Sequence, residues 1–299
     1  MVKHTGPNQE FGGDWTQQKL AILRDYLSAY TRILSKQHFN FAYIDAFAGT
    51  GYRTHNEPKP SDNLDWLDQP IDQENQRFLE GSAAMALSVE PPFPTLIFIE
   101  MDPAKLAELR RLVKDKHPGR KVIFKDGDAN IALRELCKAD WHKHRAVLFL
   151  DPFGMQIEWP TIEAIAATKG IDLWLLFPMG VAVNRMLVRD GKIPDQWRKQ
   201  LDNLFGTADW YDAFYAPSRT PQLFGDDPGL EKTATFESIG EYFLTRLRTV
   251  FAGVATTPAL LKNSKGNPLY ALFFAAGNPN GATTAVKIAN DILRKFNHG

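Results

Sequence analysis

Four acidic residues follow short apolar runs, at spacings that could do chemistry. They are Asp45 in the segment YIDAFAGTG (43–51), Glu100 at the end of TLIFIE (95–100), Asp128 in Asp126-Gly127-Asp128-Ala129, and Asp151 in Asp151-Pro152-Phe153-Gly154. A carboxylate only accepts hydrogen bonds, so a row of them suits a ligand rich in hydroxyl, amino or ammonium donors. Gly49 and Gly51 allow positive φ and let a ligand approach the backbone closely. Glu100 is placed to hold two ribose hydroxyls, and Asp128 to accept from an adenine amino group. Each acid alone reads equally well as a surface or helix-capping residue; acids after three successive strands form a constellation.

The ligand that constellation suits has an adenine, a ribose and a zwitterionic tail, with no phosphate to cradle. S-adenosylmethionine fits that description. The candidate cofactor contacts are Asp45, Phe47, Gly49, Gly51, Glu100, Met101, Asp128 and Ala129. A nicotinamide dinucleotide site would want G-x-G-x-x-G opening a helix. Here Thr54 stands at the third glycine's place and prolines follow. At Asp151-Pro152-Phe153, the carboxylate and the proline carbonyl could accept the hydrogens of an amine while the ring stacks on a base. Such stacking is worth about 1–3 kcal/mol, and a base reaching the pocket must be single-stranded or flipped out. The alternative is a turn that closes a strand. Asp151, Pro152 and Phe153 are the candidate catalytic residues, and Arg53, Asn184 and Arg185 the candidate substrate contacts.

Positioning these residues requires alternating strands and helices. Strands are expected at Phe39–Phe47, Thr95–Glu100, Lys121–Lys125, Ala146–Leu150 and Ile171–Phe177. A helix opens the chain, capped by Asp14 with Gln17, and Leu20, Leu23, Leu27, Tyr30 and Leu34 form its apolar face. Gly81-Ser82 is expected to cap the next helix, Ala83–Val89. A final pair of strands, Val254–Lys262 and Pro268–Ala275, is joined by the turn residues 263–267 and followed by a helix, Ala282–Phe296. The fold class is α/β: a Rossmann-like, doubly wound, mostly parallel sheet with a C-terminal antiparallel hairpin, as in S-adenosylmethionine-dependent methyltransferases. One domain is expected over 1–299. It carries an N-terminal helical extension (1–38), an inserted loop (53–80) of the kind that serves as a lid, and a helical accessory region (180–252).

Charge and composition narrow the classes. The 299 residues carry 35 basic and 35 acidic side chains, so the global positive field of a dedicated nucleic-acid binder is missing, though a local patch is allowed. The single cysteine, Cys137, excludes an internal disulfide framework and a cysteine-rich zinc site, and reads as a structural thiol. The run Trp141–Arg145 reads as a solvated loop, and no metal site is expected. No signal-peptide core and no apolar run of about 18 residues is present, so a cytoplasmic location is expected.

The sequence resembles the three-Cys-motif partner family, bacterial proteins with a methyltransferase-like fold. The resemblance lies in KLAILRDYL (19–27), YIDAFAGTG (43–51), Gly81-Ser82, IFIEMDP (97–103), FLDPFG (149–154), Asn184-Arg185 and LYALFFAAGNPNG (269–281). It implies a cofactor site at Asp45, Gly49, Gly51, Glu100 and Asp128, and a functional partnership with a separate cysteine-motif protein. The DPFG tetrapeptide is similar to that of tRNA guanine-N2 dimethyltransferases and departs from the DPPY of adenine-N6 enzymes. The expected reaction is methyl transfer to an exocyclic amine of a nucleobase in nucleic acid. Methylation of a small-molecule or protein amine, and a cofactor-binding scaffold without turnover, stand as alternatives.

Overall fold

The computed structural model describes residues 14–48, 81–152, 154–218 and 229–298. Gly49, Gly51, Arg53, Phe153 and the 53–80 loop lie outside the described residues. From the N-terminal side the elements are α1 (Asp14–Leu34), β1 (Asn40–Asp45), α2 (81–87), β2 (Thr95–Glu100), α3 (Pro103–Lys116), β3 (Val122–Asp126), α4 (Ala129–Cys137), β4 (His144–Leu150), α5 (Trp159–Ala167) and β5 (Ile171–Phe177). A π-helical turn (Met179–Val183) follows, then α6 (Asn184–Met186), α7 (Asp195–Phe205), α8 (Trp210–Phe214), and a two-stranded ribbon of β6 (Tyr215–Pro217) and β7 (Leu230–Lys232). The chain ends with α9 (Phe236–Arg248), β8 (Gly253–Val254), β9 (Ala259–Lys262), β10 (Pro268–Ala276) and α10 (Ala282–His298).

The main sheet has the order β3-β2-β1-β4-β5-β10-β8, with β9 also paired to β10. Strands β1 to β5 are mutually parallel, and β10 runs antiparallel to β5. This is the expected Rossmann-like methyltransferase fold. The central strands are apolar on both faces because helices cover both, and every residue of β5 is buried. One core layer holds Trp159, Phe205, Trp210 and Phe243 beneath α4, α5, α7 and α9. The other holds Trp15, Tyr26, Phe93 and Leu293 between the sheet and α1, α2, α3 and α10.

Four expectations need correcting. The edge strand expected over Val254–Lys262 is two pieces, β8 and β9; Pro258 has no N–H to give a ladder and lies at the break. Gly81 and Ser82 lie inside α2 and do not cap it, and Asp14 is already helical. The buried face of α1 takes in Lys19, Ile22, Tyr26 and Thr31 as well as Leu23, Leu27 and Tyr30, so it includes polar positions that an apolar count passes over.

Tyr26 explains part of that face. Its hydroxyl donates to Asp172 Oδ2 at 3.0 Å, and the Gly277 amide donates to Oδ1 at 3.1 Å. Asp172 is thereby satisfied inside β5, although burial still pushes its carboxyl up to about 6. Gly206 ends α7 at φ 69°, where a Cβ would sit 2.1 Å from the Trp159 ring. Gly266, at φ 78° in the β9–β10 turn, has open space around it. Gly206→Ala should therefore cost about 3 kcal/mol, left-handed strain plus overpacking, while Gly266→Ala should cost about 1–2 kcal/mol of strain alone. Equal falls in Tm for the two variants would remove the Trp159 contact as the reason for glycine at 206.

Candidate functional site

The strand order reverses between β1 and β4, and in such sheets ligands bind in the crevice outside the carboxyl ends at that reversal. The register brings the acids there. Asp45 lies level with Phe98 of β2 and Phe149 of β4, so Glu100 and Asp151 each stand two residues beyond it on neighbouring strands. Two residues of strand are about 6.6 Å. Glu100 in turn lies level with Asp126, and Asp128 follows two residues later.

Asp45 is only 1% exposed. The Tyr43 hydroxyl donates to its Oδ2 at 3.3 Å, and Oδ1 makes no hydrogen bond of normal geometry among the described residues. Burial pushes the carboxyl up to about 7 and the Asp151 charge adds to this, while Ser82, Tyr43 and the Phe47 amide oppose it. A buried acceptor at the end of β1, with one oxygen that takes no partner among the described residues, is the feature a cationic or donor-rich ligand would satisfy. Phe47 is half-buried just after it.

Glu100 is 8% exposed, and burial raises its pKa. Its Oε1 accepts from the Asp102 amide at 2.7 Å, which fixes the carboxylate. Asp128 is exposed and caps α4, with Oδ1 accepting from the Ile131 amide at 3.0 Å; Ala129 is the first buried residue of that helix. Cap and ligand contact are compatible, since Oδ2 takes no partner among the described residues. Gly127, at φ 126°, donates its amide to the Glu100 carbonyl at 3.2 Å, so the ends of β2 and β3 are held together. Met101 and Ile131 are each 65% exposed, the largest values among the exposed large apolar side chains described. They follow Glu100 and Asp128 on the same edge. Ile131 was not singled out from the sequence, where an isoleucine in a helix reads as core.

Asn130 was missed as well. It is buried; its Nδ2 donates to the Gln156 carbonyl at 2.8 Å, and its Oδ1 accepts from the Glu158 amide at 3.0 Å and the Thr161 hydroxyl at 2.9 Å. The start of α4 thus anchors the loop that carries Asp151 and Pro152.

The largest omission is Lys19. Its ammonium donates to Asp151 Oδ2 at 2.9 Å, with the lysine side chain 2% and the aspartate side chain 15% exposed. Burial lowers its pKa, and Asp151 and Asp45 both oppose this. Pro152 is buried beside the pair. Asn184 is less available than expected, because Lys232 Nζ donates to its carbonyl at 2.9 Å and to its Oδ1 at 2.7 Å. Arg185 is exposed next to it. A groove of about 980 Å³ is lined by Gln18, Met179, Phe236, Glu237, Leu260 and Lys262 among others; none of Asp45, Glu100, Asp128 and Asp151 lines it. Cys137 is half-buried, and burial pushes its thiol up to about 12, as an inert structural cysteine requires. Among the described residues, no cluster of metal-ligating side chains occurs and no helix is long and apolar enough to cross a membrane.

The sequence matches no family model and no curated protein. Solved structures are similar in overall path. A protein of Legionella pneumophila described by family-model DUF519 is 16% identical, over 96% of this chain and 94% of that one, at a TM-score of 0.48. An S-adenosylmethionine-dependent methyltransferase from Clostridium acetobutylicum is 10% identical, over 86% and 92%, at 0.36. One from Methanosarcina mazei is 13% identical, over 81% and 94%, at 0.33.

The Asp45 carboxyl titrates at an ordinary 3.8 when unfolded and at about 7 when folded. Between those values the folded protein holds more protons, so stability falls as pH rises from about 4 to 7, by at most about 4 kcal/mol. Asp172 adds a smaller fall of the same sign, ending near 6. Asp45→Asn should therefore melt at more similar temperatures at pH 5 and pH 8 than the wild type does. An unchanged difference between the two pH values would show that Asp45 is not the titrating group.

Proposed function

We propose that this chain is an S-adenosylmethionine-dependent methyltransferase that acts on an amine nitrogen, with an exocyclic amine of a nucleobase as acceptor. The observation that carries the reading is the register that aligns Asp45, Glu100 and Asp128 along one edge, with one oxygen of the buried Asp45 taking no partner among the described residues. Glu100 would hold the ribose hydroxyls, and Asp128 with the Ala129 amide would meet the adenine edge. Met101 and Ile131 would cover the adenine faces, which accounts for two exposed apolar side chains where water would otherwise lie against them. Asp45 would face the cationic end. The bound cofactor supplies an electrophilic methyl group on a sulfonium.

The rest falls to the chain. Asp151 Oδ1 takes no partner among the described residues, and with the Pro152 carbonyl it can accept the two hydrogens of an amine. Accepting both turns the nitrogen lone pair toward the donor. Phe153 is the stacking residue expected from the sequence. With Asn184 held by Lys232, Arg185 remains the exposed substrate contact of that pair. The partnership with a cysteine-motif protein, implied by the family resemblance, belongs to the same proposal.

Cofactor and demethylated product should bind with micromolar Kd, about −8 kcal/mol. Glu100→Ala should weaken both by about tenfold or more in calorimetric titration, because the ribose hydroxyls lose their acceptor. Wild-type affinity in that variant would take Glu100 out of the site.

Asp151→Asn should lower methyl transfer by on the order of 10²-fold or more while cofactor affinity stays near the wild-type value. Asparagine is the better variant than alanine, since Lys19 then keeps a hydrogen-bond acceptor. Transfer at the wild-type rate by folded, cofactor-binding Asp151→Asn would sink the amine-orienting role.

A further inference from the structure

We infer that Lys19 makes the acceptor side of this crevice selective for an uncharged amine, one conjugated to a ring, and closes it to alkylammonium groups. The inference rests on the function proposed above and decides between acceptor classes that the sequence left open.

Lys19 is held firmly. Its residue is 1% exposed, its ammonium is hydrogen-bonded to Asp151 Oδ2 at 2.9 Å, and it lies 5.1 Å from the Trp15 ring centroid and 5.9 Å from that of Phe149. Both rings present faces that attract a cation. Asp151 is therefore already one half of a buried ion pair, and what it offers an incoming group is one oxygen of a neutralised carboxylate. The neighbouring carboxylate is Asp45, which the cofactor's cationic end would engage. Among the described residues no further anion is placed at this point for a second organic cation, which would lie beside both the Lys19 ammonium and the sulfonium in a setting where like charges are poorly screened.

The chemistry of the acceptor points the same way. A lysine-like or polyamine nitrogen titrates near 10.4, so at neutral pH it must lose a proton before its lone pair can attack. The carboxylate that would take the proton is bound to Lys19. An amine conjugated to a nucleobase is uncharged at neutral pH. Its two hydrogens match two acceptors that take no partner among the described residues, Asp151 Oδ1 and the Pro152 carbonyl, and it brings no charge to be neutralised. In the transfer itself the sulfonium–methyl bond breaks, the nitrogen–methyl bond forms, and the methylated nitrogen, acidic while it carries the positive charge, sheds its proton to water.

The test supplies the purified full chain with S-adenosylmethionine carrying a labelled methyl group and four acceptor pools: total RNA, denatured genomic DNA, polylysine and spermidine. The expected result is label in RNA or DNA, at least about 100-fold above the cationic pools, roughly the discrimination expected when a site's polar groups are matched by one substrate and opposed by the other. Label in polylysine or spermidine at an equal or higher rate, or none in either nucleic acid, overturns the inference. Failure of the cofactor to bind in calorimetry overturns the underlying reading instead, so the two failures are distinguishable. Lys19→Met should cut the preference for nucleic acid over spermidine by about tenfold or more, and Lys19→Arg, which keeps the charge, should preserve it. If Lys19→Met does not fold, the wild-type comparison and Lys19→Arg still decide.

Discussion

A buried carboxylate and a half-buried one at the carboxyl ends of adjacent strands are the constraint on which the rest of this structure depends. Asp45 ends β1 and is buried, and Asp151 follows β4 and keeps 15% of its side chain exposed. Two such acids without a nearby cation would repel each other at a cost the fold could not carry. Lys19 supplies the cation, and it comes from α1, a helix outside the strand–helix alternation. The placement of α1 follows from this need. Tyr26 lies seven residues further along α1, two turns or about 10 Å, and donates to Asp172 near the amino end of β5. The helix is pinned at two points, two turns apart, to carboxylates at the two ends of the sheet's strands, and its buried face carries a lysine and a tyrosine among the leucines.

The floor of the crevice obeys the same economy of few, well-placed polar groups. Parallel strands cannot slip by one residue without turning every side chain to the other face, so register alone spaces the acids. The turns that follow are then tied across strands. Gly127 joins the end of β3 to that of β2, and Asn130 joins the start of α4 to the loop after β4. Glu100, Asp128 and Asp151 come from three different connections, yet backbone and side-chain bonds link those connections into one frame. In this frame Glu100, Asp128 and Asp151 each commit one oxygen to a partner within the protein.

How much of this was legible in the sequence depended on whether a residue's role was repeated or single. The strands Thr95–Glu100 and Ile171–Phe177 coincide with their apolar runs, because a strand covered on both faces leaves an unbroken hydrophobic signature. The acids at the strand ends were legible because three of them recur in the same position. Lys19 was not, since one lysine among Gln17, Gln18 and Arg24 looks like part of a solvated helix face; only the partner 132 residues away makes it a buried one. Asp172 within β5 was opaque for the same reason, as its partners Tyr26 and Gly277 are distant in sequence. Asp128 shows a different limit. Capping and ligand contact both call for a short acidic side chain before a helix, and the structure shows that one carboxylate can have an oxygen for each.

The raised pKa of Asp45 then has a direct meaning for ligand choice. A neutral ligand would meet a carboxyl that is about half protonated near pH 7 and would gain little from its charge. A cation placed against Oδ1 favours the ionised form, so the free energy spent on keeping that acid buried is partly recovered as binding, and a proton is released in the process. Lys19 already pairs with the neighbouring Asp151. On the function proposed above, the same pair of carboxylates would sort the two ligands, drawing the charged one to the end of β1 and leaving the end of β4 to an uncharged partner.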